Sequence, residues 1–222
     1  MRPRLLPFAA YLGFLGIELS PWGSGGSDGS GQAYVWLYPV KIAVVSALLA
    51  WCWSHYTELR GELVRNAKEA VIIVLVGLLT YLAWVHMDWS WAMQGDGKGA
   101  GYDPFRAGDH LGVFLAGVRL FGAAVVVPIM EELFWRSFLI RYLISSKFEA
   151  IPLGTVTPFS CVATVVLFGL EHDLWLAGML AGVAYTGLLV YTKRLWPCVL
   201  AHAVTNLALG IHVLATHEWK WW

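Results

Sequence analysis

Stretches of about 20 apolar residues recur along this chain from its N-terminus almost to its end, and no other feature restricts the fold as much. A bilayer core about 30 Å thick is crossed by a helix of roughly 20 apolar residues, and lipid leaves helices or closed barrels as the only ways to satisfy the backbone. That ruler marks segments 5–20, 34–53, 70–87, 110–146, 156–173, 174–192 and 196–215. The expected fold is all-α: a polytopic transmembrane helical bundle of about seven spans, forming a single integral membrane domain over residues 1–222. Composition agrees, because 58% of residues are hydrophobic and 14% charged, where a soluble domain carries about a quarter charged.

The fourth segment is too long for one simple crossing, since as a helix it would measure roughly 55 Å. Pro128 lies inside it and removes a backbone donor, so the chain either breaks there or reverses, which would make eight spans. Seven spans agree with the basic residues: Arg2 and Arg4, Arg60, Arg65 and Lys68, Arg141 and Lys147, and Lys193 and Arg194 fall on one side of alternate crossings. The positive-inside rule then places the N-terminus in the cytoplasm. Segment 5–20 reads as a retained span, because Glu18 interrupts it and Ser20-Pro21-Trp22-Gly23 makes a poor cleavage site. Gly-rich stretches at Gly23–Gly31 and Gly95–Gly101 read as aqueous connectors without a phosphate-cradling pattern. Fifteen basic and fifteen acidic residues cancel, so no basic surface points to nucleic acid. Cys52, Cys161 and Cys198 lie far apart in apolar stretches and read as small buried residues.

Ionisable residues within these stretches carry the functional information, since each costs about 2.5–3.5 kcal/mol at mid-membrane. They form three clusters. Pro128-Ile129-Met130-Glu131-Glu132-Leu133-Phe134-Trp135-Arg136 contains EExxxR, in which Glu132 and Arg136 share a helical face and can pair. Glu131 lies about 100° further round and keeps no such partner, as a general base for water requires. Phe168-Gly169-Leu170-Glu171-His172-Asp173 sets an aromatic ring one turn from an imidazole. His202-Ala203-Val204-Thr205-Asn206 sets an imidazole beside a carboxamide, two donors that can converge on an oxyanion. Scattered through lipid, Glu131, Glu132, Arg136, His172 and His202 would together cost roughly 10 kcal/mol, so they are expected to share one polar cavity.

With EExxxR, FxxxH and HxxxN in that order, the chain resembles the CPBP family of CAAX prenyl and bacteriocin-processing (Abi) proteases, glutamic-type intramembrane proteases. The resemblance covers about 128–210, taken as the catalytic core, and finds no counterpart in the N-terminal half. It implies an all-helical intramembrane endopeptidase of a membrane-associated peptide or protein, working with no metal, no cofactor and no covalent intermediate. Glu131 and His172 would activate water, His202 and Asn206 would hold the oxyanion, Glu132 and Arg136 would support Glu131, and Phe168 would shield His172. In length and general character the chain is also similar to the CAAX protease-related proteins that accompany exosortase systems, which implies a bacterial plasma membrane.

Other chemistries fit the residues less well. The nearest approach to the HExxH of a zinc peptidase, His217-Glu218-Trp219-Lys220-Trp221, has Trp at the second ligand position. A metal held by Glu131, Glu132, His172 and His202 stays open on ligand chemistry. The YD and GxGD patterns of aspartyl proteases and the intramembrane GxSx of a serine protease are missing from the spans. Two non-proteolytic readings also stay open: a binder or immunity protein for a peptide, and a proton-coupled transporter. Among the remaining residues, Trp at span ends reads as an aromatic belt and Lys41 as a snorkelling cation, while Arg119 reads as snorkelling or as binding a substrate carboxylate or lipid head group. Gly178 and Gly182 suit close helix packing within the chain, and His55, His86 and His110 read as wet span ends.

Overall fold

The computed structural model describes residues 1–18, 32–94 and 101–222. The connectors Gly23–Gly31 and 95–100 lie outside the described residues, as do Ser20-Pro21-Trp22-Gly23. Seven long helices run through the described residues, with no strand among them: α1 (Arg2–Glu18), α2 (Gln32–Trp51), α3 (Ala67–His86), α4 (Asp109–Tyr142), α5 (Pro158–Leu170), α6 (Trp175–Thr192) and α7 (Trp196–Thr216). They follow the seven expected segments in order. On length and apolarity, four qualify as membrane-crossing: α3, α4, α6 and α7. The 13 residues of α5 span about 20 Å, short of a bilayer core, and the apolar part of α2 is Val35–Trp51. The count of seven crossings therefore goes beyond what helix length alone supports. Exposed side chains on the long helices, such as Val71, Leu75, Leu79 and Val113, are large and apolar, as a lipid-facing surface requires.

Helix α4 is continuous for 34 residues, so the chain does not reverse at Pro128. The helix widens instead. Residues Gly122–Val126 and Leu133–Leu139 are π-helical and bracket the α-helical turn Val127–Glu132 that holds Pro128. A widened turn before a proline lets the helix pass the missing N–H with a local change of pitch.

Close backbone approach packs the bundle. A Cβ on Gly77 would lie 2.6 Å from the Ala201 carbonyl oxygen, so α3 and α7 are in contact at the main chain there. Gly178 and Gly182 of α6 face Gly169 and Val165 of α5, which assigns the GxxxG pattern to packing within the chain. The hairpin between α5 and α6 turns at residues 171–174, so Glu171 and His172 sit just past the helix end, a turn earlier than the expected boundary at 173.

Two cations behave differently from the expectation of snorkelling. Lys41 is 1% exposed and pairs with Glu18 of α1 at 2.8 Å. Arg119 lies 4.1 Å from the centre of the Tyr38 ring and 5.6 Å from that of Tyr102, an aromatic seat that replaces water. His55, His86 and His110 are exposed, as expected, and the three cysteines are unpaired thiols.

Candidate active site

The centre of the site lies on α4, where the turn Val127–Glu132 meets the second π-helical segment. Glu131, Glu132 and Arg136 are 4%, 0% and 0% exposed. Arg136 Nη1 donates to Glu132 Oε1 at 3.1 Å, the expected i, i+4 pair. Opposite, His202 of α7 directs Nδ1 at the same Glu132 oxygen, 3.0 Å away, and places Nε2 4.0 Å from Glu131 Oε2. A carboxylate paired with a guanidinium only accepts, so the shared hydrogen is on His202 Nδ1. One imidazole thus bridges the two adjacent glutamates, anchored on Glu132 and facing Glu131.

His172 is oriented in the same manner. Its Nδ1 lies 2.7 Å from the Phe168 carbonyl, which can only accept, so Nε2 of the neutral ring is left without a proton. Phe168 covers one side of the imidazole with ring centres 4.9 Å apart, and Trp84 of α3 meets it edge-on at 5.1 Å. The opposite environment of Phe168 holds the Arg136 guanidinium, 4.2 Å from the ring centre. No hydrogen bond or ion pair joins His172 to Glu131 among the described residues. The link between them runs through Phe168, Arg136 and Glu132.

Asn206 lies one turn beyond His202 on α7, and its Nδ2 donates to the Ala123 carbonyl at 2.8 Å. That carbonyl belongs to the first π-helical segment of α4, where Val127 N–H bonds the Gly122 carbonyl and Pro128 has no N–H to offer Ala123. One amide hydrogen of Asn206 therefore fixes the side chain, and the second remains available.

Several polar atoms at this centre are buried without a partner among the described residues: Glu131 Oε2, Glu132 Oε2, and Nε and Nη2 of Arg136. Each such group costs about 1–3 kcal/mol unless something satisfies it, and more when charged. Polar atoms in this condition suit a site that receives water or a polar substrate group. Among the described residues no three His, Cys, Asp or Glu side chains gather in an arrangement that would hold a metal ion.

Five of the seven expected residues, Glu131, Glu132, Arg136, Phe168 and His202, form one connected cluster, and His172 and Asn206 border it. The structure adds residues that spacing did not reveal. Trp135 Nε1 donates to Glu171 Oε2 at 3.1 Å, which brings a third carboxylate to the site's edge. Gln94 donates from its amide to the carbonyls of Leu170 (2.8 Å) and His172 (3.0 Å), and from its backbone N–H to that of Asp173 (2.7 Å). Tyr185 stacks on His202. Glu171 could have been noticed as the neighbour of His172, but Gln94 and Tyr185 carry no local signal.

Two adjacent buried glutamates, an arginine and two oriented histidines thus meet within the helical bundle. Residues 110–208 match the family model described as type II CAAX prenyl endopeptidase Rce1-like. The match contains every candidate site residue and bears out the resemblance to the CAAX proteases. The chain's four long apolar helices fit an integral membrane protein. No curated protein and no solved structure matched the chain in comparison.

Proposed function

We propose that this protein is a glutamic-type intramembrane endopeptidase in which Glu131 activates the attacking water. The observation that carries the reading is the asymmetry of the glutamate pair. Glu132 is occupied by Arg136 and His202, whereas Glu131 Oε2 is buried and unpartnered among the described residues, with His202 Nε2 4.0 Å away. A buried carboxylate free of hydrogen bonds is available to take a proton from water.

In the proposed reaction, Glu131 removes a proton as the water oxygen bonds to the scissile carbonyl carbon. His172, with Nδ1 tied to the Phe168 carbonyl, helps to orient that water through Nε2. The developing oxyanion accepts from the second amide hydrogen of Asn206 and is met by the His202 imidazole, which Glu132 holds in place. Collapse breaks the C–N bond, and Glu131 returns its proton to the leaving amine. Glu132 and Arg136 hold the imidazole and the helix turn. The substrate is a membrane-associated peptide or protein, and the family match makes a prenylated C-terminal CAAX segment the first probe.

The test uses purified full-length protein in lipid nanodiscs and an internally quenched peptide ending in a farnesylated CAAX sequence. Wild type is expected to cleave it, and Glu131→Gln, which keeps the shape and removes the base, is expected to lose the activity with or without a chelator. Equal cleavage by Glu131→Gln would contradict the assignment, and loss of wild-type activity to the chelator would redirect it to metal chemistry.

A further inference from the structure

Tyr185 belongs to no motif recognised in the sequence, yet it meets His202, Phe168, Arg136 and Thr205 at the site. Its side chain is buried, 1% exposed, and its ring lies nearly parallel to the His202 imidazole, with centres 5.0 Å apart and planes 20° apart. The Arg136 guanidinium approaches the same ring to 5.3 Å. The phenol oxygen lies 2.8 Å from Thr205 Oγ1. Thr205 in turn reaches the carbonyls of Gly77 (2.9 Å) and Ala201 (3.1 Å). Both carbonyls only accept, so the single hydroxyl hydrogen of Thr205 is spent on them, and Tyr185 must donate to Thr205. The phenol oxygen is thereby fixed in position, and because its O–H prefers the ring plane the bond also favours one ring orientation.

This arrangement closes a frame around the imidazole. Glu132 holds Nδ1, Tyr185 covers one face, and Phe168 meets the ring edge-on at 6.3 Å. Thr205, the anchor of the phenol, lies three residues after His202 on α7, so the frame is tied back to the helix that carries the histidine. Gly77 extends it to α3, at the point where that helix touches α7 through the main chain.

We propose that Tyr185 is a positioning residue that keeps the His202 imidazole in the plane that turns Nε2 toward Glu131. The inference rests on the proposed role of His202 in hydrolysis. A phenylalanine would fill the same volume but lose the donated hydrogen bond that ties the ring to Thr205.

The test takes the full chain, 15N-labelled at histidine, in lipid nanodiscs. Tyr185→Phe, Thr205→Val and the double substitution are compared with wild type, because these exchanges preserve volume and avoid the unfolding that Tyr185→Leu could cause. The His202 ring nitrogen signals, assigned by their loss in His202→Asn, are expected to move in Tyr185→Phe. For the farnesylated CAAX peptide, kcat is expected to fall about tenfold with KM changed by less than about twofold, since a small misplacement of a reacting group acts on the chemical step. The double variant is expected to match the more affected single one, as members of one hydrogen-bond chain do. Unchanged His202 signals and unchanged kcat in Tyr185→Phe would overturn the proposal. Should the signals move while Glu131→Gln still cleaves like wild type, the glutamate mechanism falls and the holding of His202 by Tyr185 stands.

Discussion

Helix α4 carries two buried charge clusters one to two turns apart, and they are finished differently. Toward its C-terminal end, Ser137 and Arg141 meet Arg4 of α1, and Glu58 and Glu149 of the connecting segments. Arg4 bonds Glu58 at 2.7 and 2.8 Å, Glu149 at 3.0 Å and the His55 carbonyl at 3.1 Å. Arg141 donates to Ser137 and to the Ile151 carbonyl and lies 3.5 Å from Glu58, which also accepts from Ser137. No side-chain nitrogen or oxygen in this group is buried without a partner among the described residues. The cluster of Glu131, Glu132, Arg136 and His202 leaves four such atoms. The same residue types on one helix thus serve two ends. Full pairing locks the N-terminal helix to the core, and incomplete pairing leaves hydrogen-bonding capacity for a reaction.

The largest effect that could break this contrast is on catalysis. Replacing Glu131 with Gln is expected to lower cleavage by roughly 10²–10⁴, the range for a general base, while the thermal midpoint stays near that of wild type. A variant that unfolds instead would place Glu131 with the structural cluster. Next in size is stability. Arg4→Leu strips a buried glutamate of its main partner and is expected to cost about 3–5 kcal/mol, read as a lowered midpoint of thermal or denaturant unfolding in detergent. Its folded fraction should retain wild-type kcat. A fall in kcat with unchanged stability would reverse the roles of the two clusters.

Acid offers a milder way to separate them. Burial alone would raise the Glu58 carboxyl, but the hydrogen bonds from Arg4 and Ser137 and the charge of Arg4 outweigh it and hold the group at about 2, below its ordinary 4.5. A depressed folded-state value contributes stability above about 4.5 that disappears as pH falls toward 2. Unfolding followed from pH 6 to 2.5, roughly spanning that window, should show a loss that Glu58→Gln reduces. An identical acid profile in both proteins would remove Glu58 from the structural cluster. The smallest effect concerns Gln94, whose amide ties the turn carrying His172. Gln94→Ala should lower kcat by about two- to tenfold, with little change in stability because the residue is exposed. No change would mean that the helix end holds His172 unaided.

Much of this was legible in the sequence, for reasons that also explain what was not. The helices were visible because lipid demands long apolar runs. The pairing of Glu132 with Arg136 followed from i, i+4 geometry, which a helix imposes even next to a π-helical turn. The tie between Asn206 and Ala123 was hidden, since it depends on a change of helical pitch at Gly122–Val126 that no local residue pattern announces. Tyr185 was hidden for a related cause: its partners, His202 and Thr205, lie on another helix at distances set by tertiary packing. Arg4 and Lys41 looked like ordinary flanking cations because their anions, Glu58 and Glu18, are remote in sequence. The expected boundary at 173 took His172 into the span, whereas α5 ends at Leu170, where the hairpin to α6 begins.

The most direct measurement of the central claim compares Glu131→Gln with Glu132→Gln and wild type in lipid nanodiscs, recording cleavage of the farnesylated CAAX peptide and the thermal midpoint on the same samples. The account predicts that Glu131→Gln keeps its midpoint and loses cleavage, while Glu132→Gln, which breaks the links to Arg136 and His202, loses stability as well as activity. Cleavage by Glu131→Gln at the wild-type rate, or a loss of stability equal to that of Glu132→Gln, would contradict the assignment of Glu131 as the base.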